Sequence, residues 1–140
     1  MRPWFTRALW MGLLHGAVQT GVAAVSVRSP EATSIRPIAI GLLIIAALLW
    51  GTVDGYRQLP DRGMQWFIAA LIAGPFAGAL GVIGAALLVD QTGQEALWVA
   101  LTGGAAFTAL LILAPAAIGL VAGNALPDDQ RRDVKSPRRS

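Results

Sequence analysis

Four stretches of the chain carry almost no charge, and short polar segments rich in proline, glycine and arginine separate them. Hydropathy places the stretches at residues 8–27, 38–56, 64–89 and 96–121. Each reaches the roughly 20 residues that a helix needs to cross the hydrocarbon core of a bilayer. The third, at about 26 residues and 1.5 Å of rise per residue, would be about 39 Å long. That exceeds the hydrocarbon thickness, so tilt, protrusion or a kink is expected, and Pro75 is the candidate for a kink.

The connections carry breaker chemistry. The first holds Arg28-Ser29-Pro30-Glu31 and runs on to Pro37, the second spans residues 57–63 around Pro60, and the third spans 90–95 around Gly93. Such short links make consecutive spans antiparallel. The reading is an all-α, four-helix transmembrane bundle over residues 1–126. From 127 to 140 the composition changes to Asp128-Asp129-Gln130-Arg131-Arg132-Asp133, then Lys135, Arg138 and Arg139. This segment has no apolar periodicity and reads as a charged, disordered cytoplasmic tail.

Composition agrees with a chain immersed in lipid: 55% of the 140 residues are hydrophobic and 14% are charged. A soluble domain of this length has too little interior for that balance. With no cysteine, disulfides, thiolate metal sites and thiol nucleophiles are excluded. The net charge of +3 does not point to nucleic acid, because the basic residues flank the apolar spans.

Their distribution sets an orientation. Arg2, Arg7, Arg57, Arg62 and the five basic residues of the tail fall on one side, and Arg28 and Arg36 on the other. The excess belongs on the cytoplasmic side, so both termini are expected inside, N-in and C-in, in a plasma membrane. The same imbalance argues against a chain that inserts both ways. Trp4, Trp10, Trp66 and Trp98 then fall near the interfaces, as an aromatic belt requires. The first span, preceded by Arg2 and Arg7, imitates a signal peptide. It is too long for a signal core and carries His15 and Gln19 inside it, so a retained helix is expected.

Each span carries one GxxxG pair, the last reaching just past its window: Gly12 and Gly16, Gly51 and Gly55, Gly74 and Gly78, Gly119 and Gly123. Such pairs let helix backbones approach closely, which points first to packing. The sharper alternative is that one pair lines a substrate path or a homodimer contact.

Few residues inside the spans can carry chemistry. Asp54 lies near the end of the second span, where it either reaches water or pairs with Arg57 at i,i+3, or serves as a proton or cation site. In the second case Trp50, one turn earlier, offers an aromatic face to a cationic substrate. His15 and Gln19, one turn apart, share a face that should point into the bundle. A histidine bonded to the glutamine or to a helix carbonyl is the structural alternative to a titrating relay with Asp54. Thr102, Thr108 and Asn124 add polar contacts in the fourth span. One histidine without cysteine makes a metal site improbable, and no catalytic triad, phosphate loop or dinucleotide fingerprint is present, so neither enzyme activity nor a cofactor is expected.

Some of these residues together resemble a known family. Trp50-Gly51-x-x-Asp54-Gly55, then Met64-Gln65-Trp66 with Gly74 and Gly78, and the run from Ala105 to Leu111 followed by Pro115 are similar to small bacterial four-helix proteins of the drug/metabolite transporter (DMT) type. The resemblance spans most of residues 5–123. It implies a multi-pass protein of the bacterial plasma membrane that transports small molecules. A homodimer is expected with transport, because four helices alone rarely enclose a path wide enough for a solute, and the polar residues available to it are Asp54, His15 and Gln19. Small multidrug exporters in that superfamily couple to protons through a carboxylate in the first helix, and this first helix has none. The alternative is a membrane accessory or scaffold protein that packs beside a larger complex through its glycine faces.

Overall fold

The computed structural model describes residues 3–89 and 94–126. The expected charged tail lies outside the described residues. Four helical spans form the molecule: α1 (Pro3–Arg28), α2 (Ile35–Tyr56), α3 (Arg62–Val89), and a fourth assembled from α4 (Gln94–Val99), a π turn (Ala100–Gly104) and α5 (Ala105–Ala125). Among the described residues, four helices are long and apolar enough to cross a membrane. The protein is an all-α, four-helix transmembrane bundle.

Local chemistry sets the helix ends, which lie a few residues outside the apolar windows. Pro3 opens α1 and Pro37 sits in the first turn of α2, where a missing N–H costs nothing. α2 ends where the Arg57 amide bonds the Val53 carbonyl at 3.0 Å. Gln58 and Asp61 then take left-handed backbone conformations, with φ of 49° and 50°, that turn the chain into α3. Pro75 lies within α3, which continues through it as a single helix. After α5 the chain becomes extended at Leu126, ahead of Pro127.

Packing is inverted relative to a water-soluble bundle. The buried core is largely small: Ala47, Ala69, Ala73, Ala77 and Ala116 are all fully buried. The large aliphatic side chains point outward, Leu87 at 79% and Val121 at 71% exposure. In water such a surface would aggregate. In lipid it is the natural outside, and small residues inside let dispersion contacts form between closely spaced backbones.

The tightest pairs are not consecutive in the chain. α1 packs chiefly on α3, and α2 chiefly on α5, while α3 and α5 join the two pairs and α1 and α2 barely meet. Glycine contacts give the directions. A Cβ on Gly12 would strike Phe76, and one on Gly16 would strike Leu80, so α1 and α3 run parallel. Gly51 faces Ala116 and Gly55 faces Leu120, while Gly119 faces Leu48 and Thr52 and Gly123 faces Thr52 and Tyr56. Thus α2 and α5 are a parallel pair joined by reciprocal GxxxG faces. Gly74 and Gly78 meet Ala105 and Ala100 in reversed order, so α3 and α5 are antiparallel. All eight glycines of the GxxxG pairs are therefore occupied inside the bundle.

Other helical glycines, Gly21 and Gly41 among them, have open space where a Cβ would stand. Gly41→Ala should stabilise the bundle by roughly 0.5–1 kcal/mol, since alanine removes backbone freedom from the unfolded chain without a clash. Reversible unfolding in mixed detergent micelles checks this, and a loss of stability would contradict the open surroundings of Gly41.

Candidate functional site: an ion-pair cluster and a cavity

The polar side chains inside the bundle gather at two levels. At the level where α1 begins and α2 ends, Asp54 is buried and its Oδ2 accepts two hydrogen bonds. One comes from Arg7 Nε at 2.7 Å and the other from Trp66 Nε1 at 2.9 Å. Arg7 Nη1 also donates to Gln65 Oε1 at 3.1 Å and to the Pro3 carbonyl. Gln65 Nε2 in turn holds the Pro60 carbonyl at 2.8 Å. The cluster ties α1, α2, α3 and the α2–α3 turn together.

The carboxylate's ion-pair partner is thus Arg7, 47 positions away, and not Arg57 at i,i+3. The side chains of Arg7 and Asp54 are only 5% and 4% exposed, so each charge depends on the other for compensation. Trp66 was expected in the interfacial belt, and its position is a correction: it is fully buried. Its indole N–H is satisfied by Asp54 and its ring meets Trp50 edge-on, with centroids 6.0 Å apart at 90°. The Arg7 guanidinium lies 5.9 Å from the Trp66 ring centroid, near the outer limit of a cation–π contact. Trp10 and Trp98, 61% and 69% exposed, do face outward as a belt would.

Arg7 is the residue that sequence reasoning missed, because its position near the chain start made it one more flanking charge. A usable signal existed: a carboxylate inside a span needs a partner, and antiparallel α1 and α2 bring the start of one beside the end of the other.

The second level is a cavity of about 420 Å³ between α1, α2 and α5, lined by His15, Gln19, Arg36, Leu43, Phe107 and Thr108 among others. Gly104, at the end of the π turn, also borders it. Such turns are common where helices are shaped for binding. His15 is 1% exposed, and its Nδ1 lies 2.9 Å from the Met11 carbonyl. A carbonyl can only accept, so Nδ1 carries the proton in that bond. Nε2 is buried and has no partner among the described residues. Gln19 Nε2 donates to Thr108 Oγ1 over 3.4 Å, which joins α1 to α5 across the cavity.

His15 and Gln19 therefore do share an inward face. Asp54 stands at the other level, about 12 Å along α1 by the eight-residue offset from Arg7 to His15, and Trp50 lies between the two, beside Met11 and Leu14. Met11, 2% exposed, fills the core between the levels. A smaller apolar hollow of about 290 Å³, bounded by Trp10, Met11, Leu14, Ala46 and Trp50, lies in the same α1–α2 seam. Of the other polar residues, Thr102 bonds the carbonyl of Trp98 in its own span, and Asn124 accepts from Arg62 Nη2 at 3.1 Å.

Fold and site together define a multi-pass helical membrane protein with a buried ion-pair cluster and a partly polar cavity among the described residues. Neither a protein-family model nor a curated protein matches the chain.

Proposed function

We propose that the protein transports a small molecule, which occupies the cavity between α1, α2 and α5 while the Arg7–Asp54–Trp66 cluster keeps the opposite end shut. The observation that carries this reading is the pairing of the two levels. A solute-sized cavity holds polar groups at one end, and a buried ion pair binds three helices at the other. The scarcity of contact between α1 and α2 supplies a seam along which the bundle can rearrange, a requirement of alternating access.

With the basic residues counted as above, both termini lie in the cytoplasm, the cavity faces outward and the ion pair closes the inner end. The motif likeness to bacterial drug/metabolite transporters points the same way, but the reading rests on the cavity and the cluster. The transport reading is also favoured over the scaffold alternative by the GxxxG faces, which are occupied within the bundle.

The test is solute flux into proteoliposomes with a panel of anionic, neutral and cationic compounds. Wild type should move one class, and Ala39→Trp, placed on the cavity wall, should reduce that flux at least about tenfold by filling a pocket of ordinary ligand size. Absence of flux for every class by a folded, correctly inserted protein would end the transport reading.

A further inference from the structure

We infer that the cavity binds a single-chain organic acid with a hydrogen-bond donor at its far end, of the class of a hydroxy acid with about ten carbons. In naming that molecule as the solute the inference rests on the transport reading, although its binding can be measured without any flux.

Charge decides the sign of the ligand. Arg36 lines the cavity near the start of α2, and among the described residues no aspartate or glutamate does. Among the described residues no carboxylate lies within ion-pair distance of Arg36. Asp54, the one buried carboxylate among the described residues, is already matched by Arg7 at the other level. A cation entering the cavity would meet Arg36 and no compensating charge, whereas an anion finds its partner there.

The walls decide the body of the ligand. Between Arg36 and the His15 level they are apolar, with Val22, Ile40, Leu43, Phe107 and Leu111, so a hydrocarbon chain is the matching surface. From Arg36 to Leu43 is seven residues of α2, a depth of about 10 Å. An extended chain of eight to ten carbons has about that reach. The space, about 420 Å³ and open on one side, admits one such chain.

The floor decides the far end. With Nδ1 committed to the Met11 carbonyl, the His15 ring in its neutral form leaves Nε2 as an acceptor that nothing in the described structure satisfies; the atom is itself buried, so a ligand donor reaches it only as the lining side chains give way. A buried acceptor without a donor is costly, and a ligand O–H or N–H relieves that cost. Gln19 and Thr108, held to one another only at 3.4 Å, stand ready at the same level to accept or donate.

Equilibrium dialysis of radiolabelled 10-hydroxydecanoate against the full chain in zwitterionic nanodiscs tests the inference, with empty nanodiscs subtracted. The expected result is saturable binding of one molecule per chain. Decanoate, which lacks the hydroxyl, should compete about tenfold more weakly, and decyltrimethylammonium should not compete. Arg36 is exposed, so Arg36→Gln should fold normally and weaken binding at least tenfold, while Arg36→Lys retains most of it. Absence of saturable binding, indifference to Arg36→Gln, or equal competition by the cation would each overturn the proposal. So would displacement by phosphatidylglycerol doped into the nanodisc, which would assign the site to a lipid headgroup. Binding without flux keeps this site and removes the transporter, whereas flux of other solutes without acid binding keeps the transporter and removes this solute class.

Discussion

Arg7→Ala is expected to destabilise the bundle by about 3–5 kcal/mol, the cost of stranding one member of a buried ion pair. The variant leaves the Asp54 carboxylate, 4% exposed, with the Trp66 indole as its sole donor of the original pair. At that burial little water reaches the site to replace the guanidinium. Asp54→Asn should lose somewhat less, because the amide oxygen can still accept from Trp66, yet it leaves Arg7 charged and uncompensated. Arg7→Met combined with Asp54→Leu should recover most of the loss, since apolar replacement removes both desolvation penalties together. Recovery should stop about 1–3 kcal/mol short, because Trp66 and Gln65 lose their partners. Unfolding in mixed detergent micelles reads all four proteins on one scale. A loss below about 1 kcal/mol for Arg7→Ala would mean that the pair is solvated like a surface pair. On the transport reading the double variant is informative a second way: its end stays closed by apolar packing, so flux should fall although stability returns.

Leucine at Gly119 or Gly123 is the second large expected effect, a loss of about 1–3 kcal/mol at either position and more if the helices cannot separate cleanly. A Cβ at Gly119 would meet the Leu48 carbonyl and, at 2.7 Å, the Thr52 nitrogen, and one at Gly123 would meet the Thr52 carbonyl and the Tyr56 nitrogen. These are backbone atoms of a continuous helix, so no side-chain rotamer can relieve the clash. The whole of α2 must move away from α5. That movement also breaks the reciprocal seating of Gly51 and Gly55, and the two pairs should therefore be strongly non-additive. Alanine at the same positions should lose less than leucine, since a single methyl group requires a smaller separation. The comparison that decides the matter is Gly41→Leu, where the space is open. Equal stability of Gly41→Leu and Gly119→Leu would remove the reciprocal glycine contact as the source of α2–α5 association.

The two effects act on different joints of the bundle. The glycine seam makes α2 and α5 a rigid parallel pair, and the ion pair fastens α1 to α2 at one end only. Between α1 and α2, beyond that fastening, lie the cavity and the smaller apolar hollow. A bundle built this way concentrates its freedom along one seam, where a solute could enter.

Hydropathy along the chain determined the number of spans, their approximate ends and their all-helical character. Those properties follow from each residue's own transfer energy and from helical rise, with no knowledge of neighbours. Glycine spacing determined equally well that the spans pack closely, because a missing Cβ has the same consequence against any partner. The inward face of His15 and Gln19 was legible for a similar reason: a polar pair one turn apart cannot face lipid. Partner choice was not legible. That Gly51 and Gly55 seat against Ala116 and Leu120, and that parallel α1 and α3 pack more closely than consecutive α1 and α2, depends on how four surfaces fit at once. The site followed the same rule. Asp54 announced that it needed a partner, and i,i+3 spacing offered Arg57. Only the tertiary structure brought Arg7 within 2.7 Å and drew Trp66 from the expected belt into the core, because a charge inside a bilayer is satisfied by whichever group the packed helices carry to it.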